Sequence, residues 1–238
     1  NTLVVSWNEA AEINDSVCND AFVIPIRTLS SVAGVLFSFL RFSFMFSNLF
    51  LSTIIRPKTE KKNWQQLSLI VAFSVIEVLL KFGIKKNQIE LKWPNDILVN
   101  NKKIAGILLE SSHDFIIVGI GLNVKKTPVN EEKWETTKID DYINLNFSLK
   151  EIALKILDQL FLNYQIWNEK EFIYFREKIN IFLKYRTKVI VINLNSNKNN
   201  LSGILLGLGD TGTMMIDTGS GVFEYNSIES YYESNEGV

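Results

Sequence analysis

Four short runs of β-forming residues, at 89–93, 97–99, 104–109 and 115–120, follow one another with only a few residues between them. The connections are Pro94-Asn95-Asp96, Asn100-Asn101 and Ser111-Ser112-His113-Asp114, all turn formers and too short for a crossover helix, so the spacing predicts antiparallel hairpins. Just upstream, 64–82 is a nearly continuous helix-compatible run. It predicts a largely buried helix, with Asn63 as its cap and Gly83 as its stop.

Downstream, Ser148 with Glu151 three residues on forms a capping-box signature, and Ile152, Ile156, Leu160 and Tyr164 carry helical spacing on to 168. A further helix is expected over 171–183. From Thr187 the composition changes to short strands, at 188–192, 201–206, 213–216 and 222–225, with Asn, Ser and Gly in every connection. This reads as a small β-barrel-like module. We place the boundary near residue 185, giving domains 1–185 and 186–238, a division that 238 residues can support.

Apolar residues make up 47% and charged residues 21% with a net charge of −1, which suits a soluble globular protein and gives no overall basicity to recruit nucleic acid. Cys18 is the only cysteine, so neither a disulfide framework nor a Cys-rich zinc site can form within the chain. With no charged leader in Asn1-Thr2-Leu3-Val4-Val5-Ser6-Trp7, the expected location is cytoplasmic. The stretch 32–55 is long enough to span a bilayer and has Arg41 as its only charge. Asn48, the repeated serines and the alternation Phe42-Ser43-Phe44-Met45-Phe46-Ser47 argue instead for strand and against a membrane span.

Three local signals could carry chemistry. Gly207-Leu208-Gly209-Asp210-Thr211-Gly212 matches a dinucleotide fingerprint letter for letter, but that loop must open a helix, and Thr213-Met214-Met215-Ile216 reads as a strand; a turn is expected. His113, the only histidine, has no second imidazole or cysteine with which to form a metal site or a Cys–His dyad, and reads as a surface turn residue. Lys92-Trp93-Pro94-Asn95-Asp96 places a lysine at a strand end before an aromatic and a proline. Locally it could be no more than a strand end with a turn.

Its surroundings add more. Lys103-Ile104-Ala105-Gly106-Ile107-Leu108 and then Gly119-Ile120-Gly121-Leu122-Asn123 follow, and glycines within strands let a ligand or another backbone come close. With Lys92-Trp93-Pro94-Asn95-Asp96, these segments stand in the order and spacing of the catalytic domain of biotin protein ligases, which this chain resembles. Asn48-Leu49-Phe50-Leu51 matches that family's strand after its glycine-rich loop. Gly203, Gly209-Asp210-Thr211-Gly212 and Glu224-Tyr225-Asn226 are similar to its closing SH3-like module.

The resemblance implies an α+β fold: a mixed-sheet catalytic domain of the class II synthetase or biotin ligase kind, followed by an SH3-like barrel, with no DNA-binding helix-turn-helix ahead of it. It implies that biotin attacks the α-phosphate of ATP, with Mg2+ bridging phosphate oxygens, and that a lysine of a biotin carboxyl carrier domain then takes the biotinyl group. Lys92 would be the catalytic ammonium, offsetting the charge crowding as carboxylate meets phosphate. Gly106 and Ile107 would line the biotin pocket, Lys103 would sit near the ligand, and Asn123 would face the adenine side. Asn95 and Asp96 would hold the turn or touch the ligand. No protein-held metal, nucleic acid or membrane is implied, and self-association into a homodimer is left open.

Two family motifs are absent. No Ser-Thr-Asn stands near the start, and between Ala33-Gly34 and Asn48-Leu49 the family's Gly-Arg-Gly-Arg loop is replaced, at equal length, by a Phe/Ser-rich stretch. Val35, Leu36 and Phe37 still offer backbone amides to a phosphate but no guanidinium. Divergence of the loop accounts for this, and so does translation of 35–47 in a shifted frame between two compensating errors; the coding DNA read in all three frames separates them. The alternatives to an active ligase are a biotin- or carrier-binding relative that cannot complete adenylation, a lipoate-type transferase of similar fold, and a membrane-attached protein built on 32–55.

Overall fold

In the computed structural model of the chain, residues 22–24, 40–43, 47–127, 135–144, 146–194 and 200–234 are described. The chain enters through strands β1 (Phe22–Ile24), β2 (Leu40–Ser43) and β3 (Leu49–Ile55), then forms helix α1 (Gln66–Phe82). Next come β4 (Ile89–Lys92), β5 (Asp96–Val99), β6 (Lys102–Ser111) and β7 (Ile116–Leu122), the hairpin strands read from the sequence. Together they build a seven-stranded sheet in the order β1-β2-β3-β7-β6-β5-β4. The α+β class is as expected. Every ladder between named strands is antiparallel, and among the described residues parallel pairing is confined to the isolated bridges Leu91↔Leu183 and Lys103↔Thr136.

Alternation decides which face is covered. Leu49, Leu51 and Ile55 of β3 and Val118, Ile120 and Leu122 of β7 are buried, while Phe50, Ser52, Gly119 and Gly121 between them point the other way. The covering layer is α1 with α2 (Leu149–Lys170) and α3 (Ile173–Asn180). Leu67, Ile70, Val71, Val75, Ile76 and Leu79 leave α1 apolar almost all round because it lies between the sheet and α2. Gly83 ends α1 in the left-handed conformation at φ 106°, its N–H reaching back to Leu79 and Leu80 carbonyls. Asn63 is not the cap. It lies in a 3-10 turn (Lys61–Asn63) that precedes the buried Trp64 ring, and α1 starts after Gln65 with no side-chain cap. Ser148 and Glu151 do form the capping box of α2. The third helix is shorter than its apolar pattern, because the chain after Asn180 turns to bridge Leu91.

After residue 188 the strands are β8 (Val189–Asn193), β9 (Asn200–Leu208), β10 (Met214–Asp217), β11 (Val222–Tyr225) and β12 (Ser230–Glu233), in the order β11-β10-β9-β8-β12, an SH3-like small sheet. The last strand was not legible locally, since its pairing partner is β8, far away in sequence. The Gly207–Gly212 match covers the end of β9 and the turn that leads to β10. Of the stretch 32–55, β2 and β3 are strands and residues 47 and 48 lead into β3; 32–39 and 44–46, which hold most of the altered loop, lie outside the described residues, as does Cys18. Among the described residues no helix is long and apolar enough to cross a membrane.

The small sheet is locked to the larger layer. Gly212 sits at φ 81°, where a Cβ would meet Leu69 Cδ1 at 3.0 Å and Phe172 Cζ at 3.4 Å, so glycine is required by both conformation and space. Lys184, with its side chain only 3% exposed, donates to Glu90 Oε2 at 2.9 Å and also to Asn101 Oδ1, stapling the connection between the two sheets to β4 and the β5–β6 turn. Lys184→Ala would leave that carboxylate and amide without their donor. The expected loss is about 2–3 kcal/mol, roughly 4–12 °C in melting temperature. Chemical denaturation checks it; a loss of a few tenths of a kcal/mol would show that water replaces the ammonium.

Candidate functional site

The site is built on the sheet face that the helices leave uncovered. Lys92 ends β4 and stands opposite Asp96, Asp96 opposite Gly106, Gly106 opposite Gly121, and Gly121 opposite Phe50. Directly paired residues share a face, so these five form one row across five strands. A second row on the same face runs Leu108–Gly119–Ser52. Gly106, Gly119 and Gly121 leave a strip of bare backbone, bordered by two apolar side chains that the fold keeps in solvent, Phe50 at 44% and Leu108 at 59% exposure. A Cβ at Gly121 would be 3.9 Å from the Phe50 ring, and one at Gly119 would be 3.6 Å from Leu108 Cβ.

A bulge brings Lys103 to this face. Ile97 pairs with Ala105 but Leu98 pairs with Lys103, so Ile104 is the extra residue and stays buried. The Lys103 ammonium thereby reaches Asp96 Oδ1 at 2.9 Å. It also lies directly over the glycine floor, since a Cβ at Gly106 would fall 3.3 Å from Lys103 Cε and 3.5 Å from Nζ. Lys103 is thus held by one carboxylate, with its ammonium over Gly106.

The turn after Lys92 is pinned from three sides. Asn95 exchanges backbone and side-chain hydrogen bonds with Ile107 (Ile107 N to Asn95 O, and Asn95 Nδ2 to Ile107 O, both 2.9 Å), Ser68 Oγ of α1 donates to Pro94 O at 3.0 Å, and Trp93 Nε1 donates to Gly212 O at 3.1 Å. Asn95 therefore holds the turn. The Lys92 ammonium lies 5.7 Å from the ring centroid of Tyr231. Burial, the main cause, pushes the Tyr231 phenol far above its ordinary value, so the ring stays neutral.

Lys92, Lys103 and Gly106 thus share one face, Lys92 on the edge strand and Lys103 over the floor. Ile107 turns the other way: its side chain is buried in the core against the helices, because it is one residue out of phase with Gly106. Only its backbone is near the row. Asn123 follows β7 and its Nδ2 donates to Thr137 O at 3.0 Å, while Thr137 N donates to Lys103 O at 2.9 Å, so Asn123 holds the segment that runs beside Lys103. Asn48 does similar work, accepting from Val124 N and Lys126 N and donating to Lys126 O. Phe50 and Leu108, which border the glycine strip, were not singled out from the sequence, whereas Asp96 was, as a residue that would hold the turn or touch the ligand. The signal available for the two apolar ones was alternation, which put them out of phase with the buried set.

His113 is exposed in the β6–β7 turn, and among the described residues no group of three His, Cys, Asp or Glu could hold a metal ion.

The chain and its fold are similar to known proteins. The model of the biotin/lipoate A/B protein ligase family matches residues 44–125. The bifunctional ligase/repressor BirA of Bacillus subtilis is 27% identical over 195 residues, 74% of this chain and 55% of that protein. The apo structure of the biotin protein ligase from Aquifex aeolicus superposes with a TM-score of 0.68 at 33% identity, over 79% of this chain and 83% of that one. The chain belongs to the biotin protein ligase family. The same Aquifex enzyme in complex with biotin and ATP matches at 34% identity, 79% of each chain and a TM-score of 0.68. The matched region 44–125 contains all five residues of the row, as well as Lys103, Leu108, Gly119 and Asn123. The chain spans about half the length of the BirA proteins it matches, at 54–55%.

Proposed function

We propose that the chain is a biotin protein ligase: it joins biotin and ATP to form biotinyl-adenylate and pyrophosphate, then passes the biotinyl group to a lysine amine of a biotin carboxyl carrier domain, releasing AMP. The observation that carries this reading is the glycine-floored trough with an ammonium set over Gly106. Bare backbone between Phe50 and Leu108 suits the apolar ring system of biotin, whose burial supplies affinity without charge. Lys103, oriented by Asp96, is the cation best placed where carboxylate and α-phosphate meet, and a fixed ammonium there lowers the cost of bringing two anions together by a few kcal/mol. Lys92 stands one residue beyond Asp96 in the same row and adds a second positive charge at its end. Mg2+ would be held mainly by phosphate oxygens; among the described residues of the row Asp96 is the carboxylate that would join them, which fits an ion that takes one or two carboxylates besides phosphate.

The test is biotin-dependent ATP–pyrophosphate exchange, run on the wild type and on Lys92→Ala. We expect exchange that requires biotin and falls about tenfold or more in the variant. Exchange that ignores biotin, or none at all, would sink the ligase reading. Biotin binding without exchange would instead support the non-catalytic relative that the lost Gly-Arg-Gly-Arg loop suggests, and exchange driven by lipoate would support the transferase.

A further inference from the structure

The Lys92-Trp93 segment touches the C-terminal sheet through both of its residues. Trp93 gives its indole N–H to Gly212 O, and Lys92 lays its ammonium against the ring of Tyr231. Tyr231 belongs to β12, paired with Ile192 of β8 at the end of the small sheet, and its buried ring is held edge-on by Tyr185 at 6.1 Å and 85°. The ring is therefore a fixed, neutral surface with a negative face, which attracts a cation within about 6 Å. The next two residues, Pro94 and Asn95, are bonded to α1 and to Ile107, beside Gly106. A change in how β12 seats would thus reach both the end of the row and its floor.

We infer that Tyr231 is a positioning residue for Lys92: its ring face holds the ammonium at the end of the trough, so that the C-terminal sheet sets the placement of that charge. The inference rests on the ligase reading for its catalytic consequence but not for the contact itself. In the full chain, Tyr231 is replaced by phenylalanine and then by monofluoro- and trifluorophenylalanine, which keep the ring's shape while draining its negative face. The amine-labelling rate of Lys92 is read by peptide mass spectrometry, alongside KM and kcat of the exchange reaction and the melting temperature. Tyr231→Phe is expected to behave like the wild type. The trifluoro variant is expected to raise Lys92 labelling and the KM for ATP by about fivefold, with kcat and melting temperature little changed.

A labelling rate that stays flat across the series overturns the inference, even with normal exchange, and so does a Tyr231→Leu variant that melts lower while labelling Lys92 as the wild type does. If the wild type shows no exchange, the ligase reading fails alone, because the labelling series still decides the role of Tyr231.

Discussion

Gly121→Val is expected to fold as well as the wild type and to lose biotin-dependent exchange by about a hundredfold or more. The position has no left-handed backbone, and the nearest atoms to an added Cβ are Phe50 Cε1 at 3.9 Å and Gly106 O at 4.0 Å, both ordinary contacts. A β-branched residue also suits a strand interior better than glycine, by about 0.5–1 kcal/mol. Melting temperature should therefore hold or rise while the new methyl groups fill the trough between Phe50 and Leu108. Melting curves and exchange rates measured on the same preparation check this. A valine variant that exchanges within tenfold of the wild type would take the ligand off this face of the sheet.

Lys103→Gln should cost roughly two to three orders of magnitude in kcat for adenylation, more than Lys92→Ala. The difference follows from place. Lys103 lies over the floor, oriented by Asp96, whereas Lys92 stands on the edge strand against Tyr231. Stability should barely move, because the Lys103–Asp96 pair is partly open to water and such pairs are worth about 1 kcal/mol or less. Single-turnover formation of the adenylate, with binding measured separately, reads the effect. If Lys92→Ala proves the more damaging, the principal ammonium is the one named by the sequence motif, and Lys103 serves to hold Asp96.

The hairpins over 89–120, the buried helix ended by Gly83 and the Ser148–Glu151 cap were readable in the sequence because each depends on a local rule: alternation, an apolar run, a left-handed stop, a side chain reaching three residues along. The cap of α1 and the strand β12 were not, and for a common reason. The start of α1 is decided by the burial of Trp64, and β12 by a partner almost forty residues upstream. Ile107 shows the limit most plainly. Its place next to Gly106 in the motif suggests a pocket residue; its side chain enters the core while its backbone stays beside the row, since adjacent strand residues face opposite ways and only the position of the helix layer tells which face is which.

The sequence by itself determined the family, through Lys92-Trp93-Pro94-Asn95-Asp96 and the glycine-bearing strands that follow it, because those residues are tied to backbone geometry that few other sequences need. Only the tertiary structure decided how the site is arranged. Cross-strand register put Lys92, Asp96, Gly106, Gly121 and Phe50 in one row, a single bulged residue returned Lys103 to their face, and the docking of the last strand set Tyr231 against Lys92. None of these follows from local preference, since each is a matter of which distant segments pair and in what phase.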